Sequence, residues 1–145
     1  MGLFFNRKPR PSAQDKKEAK AVLSRLVTCA KRIETAKSID DLLTALEKYE
    51  TERRMLELYE QKGVKLSMPT SKIDAAVRAE IPRLERETVD RGYDRMMRDA
   101  LKLKTDKGRC NKARRYFEEL EYYYPRLQQS TVARINQLRA ECRYV

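Results

Sequence analysis

The sequence predicts an all-α protein, a single-domain bundle of about five amphipathic helices in antiparallel hairpins. Charged residues make up 38% and hydrophobic residues 41% of the 145 residues, with only 4 glycines and 5 prolines, a composition that favours helices over a turn-rich sheet. Apolar side chains also recur at spacings of three and four in successive segments. A chain of this length can bury about 68–70% of its unfolded surface, so we expect a real core.

The helical domain is predicted over residues 12–145, and its first helix over 12–37. Ser12 followed by Asp15 is an N-cap signal with a weak capping-box partner. The polar face of this helix carries a net charge of +4, and such a face is usually only solvated. Its basic residues are Lys16, Lys17, Lys20, Arg25, Lys31, Arg32 and Lys37.

The second helix is predicted over residues 39–62. Ser38 and Asp41 repeat the start signal, and Gly63 is a natural C-cap. Seven acids against four bases make it the long helix with a clear negative balance. Because little chain separates it from the first helix, we expect an antiparallel hairpin.

Residues 63–71 form a connector rich in glycine, proline and hydroxyl side chains, and we predict a hinge there. A third cap signal, Ser71 with Asp74, precedes a helix predicted over 72–103. Pro82 lies inside this helix, where it removes a backbone hydrogen bond and crowds the preceding turn. We therefore expect either a kink or a break with a restart near Pro82.

The stretch 104–124 combines the strongest local charge with a cluster of aromatic residues. Thr105 is a candidate N-cap, Gly108 lies in the opening turn, and an apolar stripe follows. Six cations against Asp106 give the first twelve residues of this stretch a charge of +5, and five of the six, all but Arg109, lie opposite the stripe. We predict an anion-binding or nucleic-acid-binding site made of Lys104, Lys107, Arg109, Lys112, Arg114 and Arg115.

Cations at the start of a helix face the positive end of its dipole, so a bound phosphate or carboxylate would relieve the conflict. Two alternatives stay open: the third helix continues through Thr105, or acids of the second helix cover these cations.

A last helix is predicted over 128–142.

Three consecutive tyrosines, Tyr122, Tyr123 and Tyr124, follow the basic stretch. Exposed tyrosines beside cations can stack nucleic-acid bases. At most two of the three can share a helical face, and Tyr123 and Tyr124 lie close to the stripe of Phe117 and Leu120. Core packing with wet hydroxyls is therefore the expected role. Cys110 lies in an electropositive setting, but its helical position beside Phe117 predicts a buried, inert thiol.

Several functional classes are excluded by what the sequence lacks. It contains no histidine, the commonest general base and a frequent metal ligand, and no glycine-rich phosphate-binding motif. The three cysteines, Cys29, Cys110 and Cys142, are widely spaced and odd in number, which argues against a disulfide framework or a thiolate metal site. We therefore expect a cytoplasmic protein that is not an enzyme and needs no cofactor or metal.

Residues 1–11 are predicted to be a flexible basic and apolar tail ending in prolines. Its apolar run is too short to span a membrane, but aromatic residues beside basic ones can contact an anionic membrane surface. The residues proposed for that contact are Leu3, Phe4, Phe5, Arg7, Lys8 and Arg10.

The net charge of +11 indicates anionic partners. Our first hypothesis is an α-helical interaction module whose basic surface binds an acidic partner, either nucleic acid, the first candidate, or an acidic protein. The alternative is a helical scaffold or oligomerisation protein, tethered by its tail to an anionic membrane surface.

Overall fold

The computed structural model describes residues 10–145. Five α-helices and one 3-10 turn make up 81% of this part of the chain, which contains no β-strand, so the all-α prediction is confirmed. Each helix begins and ends within three residues of its predicted bounds. The helices are α1 (Ala13–Glu34), α2 (Ile39–Gln61), α3 (Thr70–Leu101), α4 (Asp106–Tyr122) and α5 (Gln129–Glu141).

The first two start signals work as predicted. The Ser12 hydroxyl accepts a hydrogen bond from the N–H of Asp15 at 3.0 Å, and the Asp15 carboxylate accepts one from the N–H of Ser12 at 3.2 Å. The Ser38 hydroxyl likewise accepts from the N–H of Asp41 at 3.1 Å. These bonds satisfy N–H groups that have no partner inside the helix.

The third start signal is wrong. α3 begins at Thr70, one residue before the predicted Ser71 cap, and Asp74 accepts a hydrogen bond from the Tyr49 hydroxyl at 2.8 Å. Pro82 lies within α3 without breaking it, so the restart alternative is wrong as well.

The described chain divides into two compact units, each built from parts of several helices. The first unit contains the described residues up to Glu34 together with Thr44–Ala79, and the second contains Thr35–Leu43 and Glu80–Val145. The predicted hinge, residues 63–71, lies inside the first unit, and its role as a hinge stays a prediction.

In the first unit, α1 and α2 form the expected antiparallel hairpin. Glu18 near the start of α1 accepts a hydrogen bond from the Tyr59 hydroxyl at 2.6 Å, whereas Arg25 further along α1 donates to Glu52 at 3.1 Å. Residues later in α1 therefore contact residues earlier in α2, as in an antiparallel pair of helices. Apolar side chains of the unit form its core, among them Ala19, Val22, Leu26, Cys29, Ile33, Tyr49, Leu56 and Ile73.

In the second unit, α3 and α5 run parallel. Glu85 on α3 contacts Thr131 near the start of α5, and Asp90, further along α3, accepts from Arg134 at 2.9 Å. Both contacts join the helices in the same order along the chain.

α4 runs antiparallel to α5. Glu121 near the end of α4 pairs with Arg139, whereas Tyr124, beyond that end, donates to the earlier Asn136 at 3.4 Å. The three helices of the second unit therefore alternate in direction, as in an up-and-down bundle. Their core includes Leu84, Val89, Met96, Ala113, Phe117, Leu120, Ile135 and Leu138.

Candidate nucleic-acid interface

The predicted start of α4 is confirmed. Thr105 has extended backbone angles and its hydroxyl accepts a hydrogen bond from the N–H of Gly108 at 3.0 Å. A Cβ at Gly108 would lie only 3.0 Å from that hydroxyl oxygen, so glycine suits this turn. α3 ends at Leu101, and the alternative in which it continues through Thr105 is therefore wrong.

The rotation of α4 is set by its apolar stripe. Ala113, Phe117 and Leu120 are buried. Between them, the Tyr116 hydroxyl donates to the backbone oxygen of Val89 on α3 at 2.9 Å. Burial raises the pKa of Tyr116 well above its ordinary value, so this hydroxyl stays protonated as a donor at neutral pH. The buried stripe turns the opposite face of α4 to solvent.

One edge of that face borders a concavity of about 510 Å³, which we call the α4 groove. The groove lies within the second unit, and its lining comes from the segment before α2, the first turn of α2, α3, α4 and the residue that follows α4. The polar and aromatic residues among its lining are Lys37, Ser38, Asp40, Thr88, Arg95, Asp99, Lys112, Arg115, Tyr116, Glu119, Tyr122 and Tyr123.

Four of the lining residues are cations: Lys37, Arg95, Lys112 and Arg115. Within residues 10–145, none of the four forms an ion pair or a side-chain hydrogen bond. Their charges are therefore available to a ligand.

Three carboxylates also line the groove, and two of them have partners. Asp40 accepts a hydrogen bond from the Tyr123 hydroxyl at 3.0 Å, which is the main reason that the pKa of Tyr123 is raised. Asp99 lies 3.8 Å from the ammonium group of Lys102. The third carboxylate is Glu119. Because four cations and three carboxylates line the groove, its lining keeps a small positive charge.

The tyrosine cluster divides between packing and exposure. Tyr123 and Tyr124 are half-buried with bonded hydroxyls, as predicted. Tyr122, the tyrosine that the helical geometry does not place near the apolar stripe, exposes 78% of its surface. Its ring meets the Tyr123 ring edge-on at 5.2 Å, and both rings line the groove together with its cations. An exposed ring next to unpaired cations is the arrangement on which a base can stack.

Gly92 on α3 lets Tyr116 approach the helix closely. A Cβ at position 92 would lie 3.0 Å from the hydroxyl oxygen of Tyr116 and 3.4 Å from its ring. Glycine at position 92 therefore helps to place Tyr116, which lines the groove. Along α4, Tyr116 follows Lys112 and Arg115 and precedes Glu119, which line the groove as well.

Two of the six predicted site residues, Lys112 and Arg115, lie in the groove. Lys104, Lys107 and Arg114 are exposed but do not line it. Arg109 is half-buried and pairs with Asp106 at 3.0 Å, so part of its charge is compensated.

The other alternative, in which acids of helix two cover the predicted cations, receives no support from the described residues. Arg109 alone of the six has an ion pair there, and its partner is Asp106. Cys110 is half-buried rather than buried.

Sequence reasoning missed Lys37 and Arg95 as groove residues. Lys37 was assigned to the solvated face of the first helix, whereas it lies outside α1, in the second unit. No sequence signal marks Arg95, because its role depends on which helix packs beside α3.

Of the predicted membrane-contact residues, Arg10 is exposed. Leu3, Phe4, Phe5, Arg7 and Lys8 lie outside the described residues. None of the helices described here combines the length and the apolar character that a membrane span requires.

The groove therefore brings together cations and an aromatic ring that lie far apart in the sequence. Comparison with protein-family models, with curated proteins and with solved structures finds no match for the chain.

Proposed function

We propose that the protein is a non-enzymatic α-helical module that binds single-stranded nucleic acid along the α4 groove. The observation that carries this proposal is that exposed Tyr122 lines the same groove as four unpaired cations, Lys37, Arg95, Lys112 and Arg115. The absence of histidine from the sequence supports a binding role rather than catalysis.

A single strand fits these features better than a duplex does. Its bases are free to stack on an exposed ring, and its phosphates can follow a short row of cations. Base pairs in a duplex are already stacked, so Tyr122 would contribute little to binding them. An acidic protein surface would use the cations but would have no particular need for the ring.

We also propose a cytoplasmic location. The thiols of Cys29, Cys110 and Cys142 are all free, which is the state expected in a reducing compartment.

Fluorescence anisotropy with labelled oligonucleotides tests the binding proposal. If four phosphates are contacted, log K should fall against log salt with a slope of about −2.8, a roughly 50-fold loss of affinity between about 50 and about 200 mM salt. The double variant K112Q/R115Q should weaken binding and make this slope shallower by about 1.4.

The matched control is K104Q/K107Q. It removes the same charge from two exposed lysines that begin the basic stretch but do not line the groove. Its binding should be nearly unchanged at about 200 mM salt. Equal losses in both double variants would show that only net charge matters, and equal affinity for duplex and single strand would contradict the stacking role of Tyr122.

A further inference from the structure

A second concavity, of about 680 Å³, lies in the first unit beside the start of α1. We call it the lysine pocket. One wall comes from α1 and the other from the connector between α2 and α3. Its described lining residues are Pro11, Lys16, Lys17, Lys20, Leu23, Gly63, Val64, Lys65, Leu66 and Ser67.

The pocket is basic without internal compensation. Its four lysines are exposed, and none forms an ion pair within residues 10–145. No carboxylate occurs among the described lining residues, and residues 1–9 contain no aspartate or glutamate in their sequence. In this respect the pocket differs from the α4 groove, which contains three carboxylates.

Nearby acids of α1 are already engaged elsewhere. Asp15 caps the helix with Ser12. Glu18 accepts hydrogen bonds from Tyr59 at 2.6 Å and from Gln14 at 2.9 Å. The bond from Tyr59 is the main reason that the pKa of Glu18 is lowered, so this carboxylate stays ionised in that contact at neutral pH.

The connector adds backbone donors beside the lysines. Gly63 has a φ of 97°, a left-handed conformation that ends α2 and that glycine adopts readily. After it, the N–H groups of Lys65, Leu66 and Ser67 have no hydrogen-bond acceptor within the described part of the chain. All three residues line the pocket, and a lining that carries both free N–H groups and ammonium groups favours an anion with several acceptor oxygens.

Mutual repulsion between the lysines is unfavourable in the empty pocket, and Lys16 and Lys17 also lie near the positive end of α1. We propose that the lysine pocket binds a compact ligand carrying at least two phosphate groups. Two phosphate dianions would match the four ammonium charges. The pocket is within the size range of small-molecule sites, and Leu23, Val64 and Leu66 can pack against the carbon skeleton between the phosphates.

No aromatic residue is among the described lining residues, so the pocket offers nothing on which a base can stack. Phosphate recognition here is therefore a separate activity from nucleic-acid binding at the α4 groove, and it does not depend on that proposal. Such phosphates can belong to a soluble compound or to the headgroup of a lipid.

Isothermal titration calorimetry with tripolyphosphate tests the soluble form. The wild-type chain should bind tripolyphosphate. K16Q/K20Q should weaken binding by at least about tenfold, because each substitution removes a hydrogen bond between an ammonium group and a phosphate, and hydrogen bonds to charged groups contribute more than neutral ones. K48Q/K72Q removes the same charge from two exposed lysines of the first unit that do not line the pocket, so it should bind like the wild type. K16R/K20R, which keeps both charges, should retain most of the affinity.

Vesicle sedimentation tests the lipid form, with neutral phosphatidylcholine vesicles containing either phosphatidylinositol bisphosphate or enough phosphatidylserine to give the same charge. Binding only to the bisphosphate vesicles, lost in K16Q/K20Q, identifies a headgroup ligand. Binding to tripolyphosphate without vesicle binding identifies a soluble one.

The proposal is overturned if neither probe binds or if K48Q/K72Q loses as much affinity as K16Q/K20Q. Circular dichroism verifies that the variants fold, and K17Q/K65Q gives an independent second test of the same pocket. The oligonucleotide experiment substitutes Lys112 and Arg115 rather than lysines of the pocket. Either proposal can therefore be rejected without rejecting the other.

Discussion

The carboxylate of Glu85 accepts a hydrogen bond from the Thr131 hydroxyl at 2.6 Å, so a residue of α3 caps α5. The same oxygen accepts from the N–H of Gln128, the N-cap residue of α5, at 3.1 Å. In a capping box, the third residue of the helix supplies this carboxylate. Here that position is Thr131, and Glu85 supplies it from another helix while exposing only 2% of its surface.

Replacing Glu85 with alanine should destabilise the protein by about 2–4 kcal/mol. The change removes a helix cap and leaves the buried hydroxyl of Thr131 without its acceptor. Glu85→Gln should have a smaller effect, because it keeps one acceptor oxygen. Urea unfolding followed by circular dichroism measures both changes.

Glu87→Ala is the matched control for Glu85→Ala. Glu87 lies two residues further along α3 and pairs with Arg83 at the surface, 3.0 Å away. Loss of an exposed ion pair should change stability by less than about 1 kcal/mol. Similar effects of the two substitutions would show that the cap adds little to stability.

Stability should fall at alkaline pH. Burial raises the pKa of Tyr49 and of Tyr116 above the ordinary tyrosine value of about 10. Above about pH 10 the unfolded chain loses these phenol protons while the folded chain keeps them, so ionisation favours unfolding. Each tyrosine should lower stability by up to about 1.4 kcal/mol per pH unit, with no such loss below about pH 9.

Urea unfolding between about pH 9 and about pH 11 checks this dependence. Tyr116→Phe should remove one tyrosine's share of the slope, whatever its effect at neutral pH. An unaltered slope in Tyr116→Phe would contradict the assignment.

Tyr122→Ala should weaken binding of a single-stranded oligonucleotide by about 1–3 kcal/mol, the usual contribution of one stacked base. Tyr122→Phe keeps the ring and should bind nearly as well as the wild type. Anisotropy titrations at one salt concentration measure both.

Tyr144→Ala is a suitable comparison, since Tyr144 lies near the C-terminus and does not line the α4 groove. Its affinity should match that of the wild type. If Tyr122→Ala also binds like the wild type, charge alone accounts for any binding at the groove.

Gly92 and Tyr116 should be energetically coupled. Alanine is the better helix former by up to about 1 kcal/mol, but its Cβ would lie 3.0 Å from the Tyr116 hydroxyl oxygen. Gly92→Ala should therefore be more favourable in the Tyr116→Phe background, which lacks that oxygen, than in the wild type. A double-mutant cycle by urea unfolding measures the difference, and strict additivity would rule out the coupling.

Much of the fold could be predicted because its signals are local. Ser12, Ser38 and Thr105 cap helices where the sequence places them, and periodic apolar residues identify the buried face of each helix. The Ser71 signal failed because α3 begins earlier, at Thr70, where the backbone oxygen of Pro69 accepts hydrogen bonds from the N–H groups of Lys72 and Ile73.

The candidate site was predictable only in part. Lys112 and Arg115 were found from the charge of their own segment, whereas Lys37 and Arg95 come from other segments that packing brings beside α4. Helical spacing placed Tyr123 and Tyr124 near the apolar stripe, and Tyr122, which it did not place there, is exposed in the last turn of α4.

The sequence by itself determined the fold class, the helices and their buried faces, since capping and apolar periodicity act within a turn or two of the chain. Only the tertiary structure decided which cations share a surface. Lys65 joins Lys16 and Lys20 around one concavity, and Arg95 joins Lys112 around another. The physical reason is that a charged side chain facing solvent is compatible with many different neighbours. The sequence around it therefore does not specify which residues the packing of the helices will bring beside it.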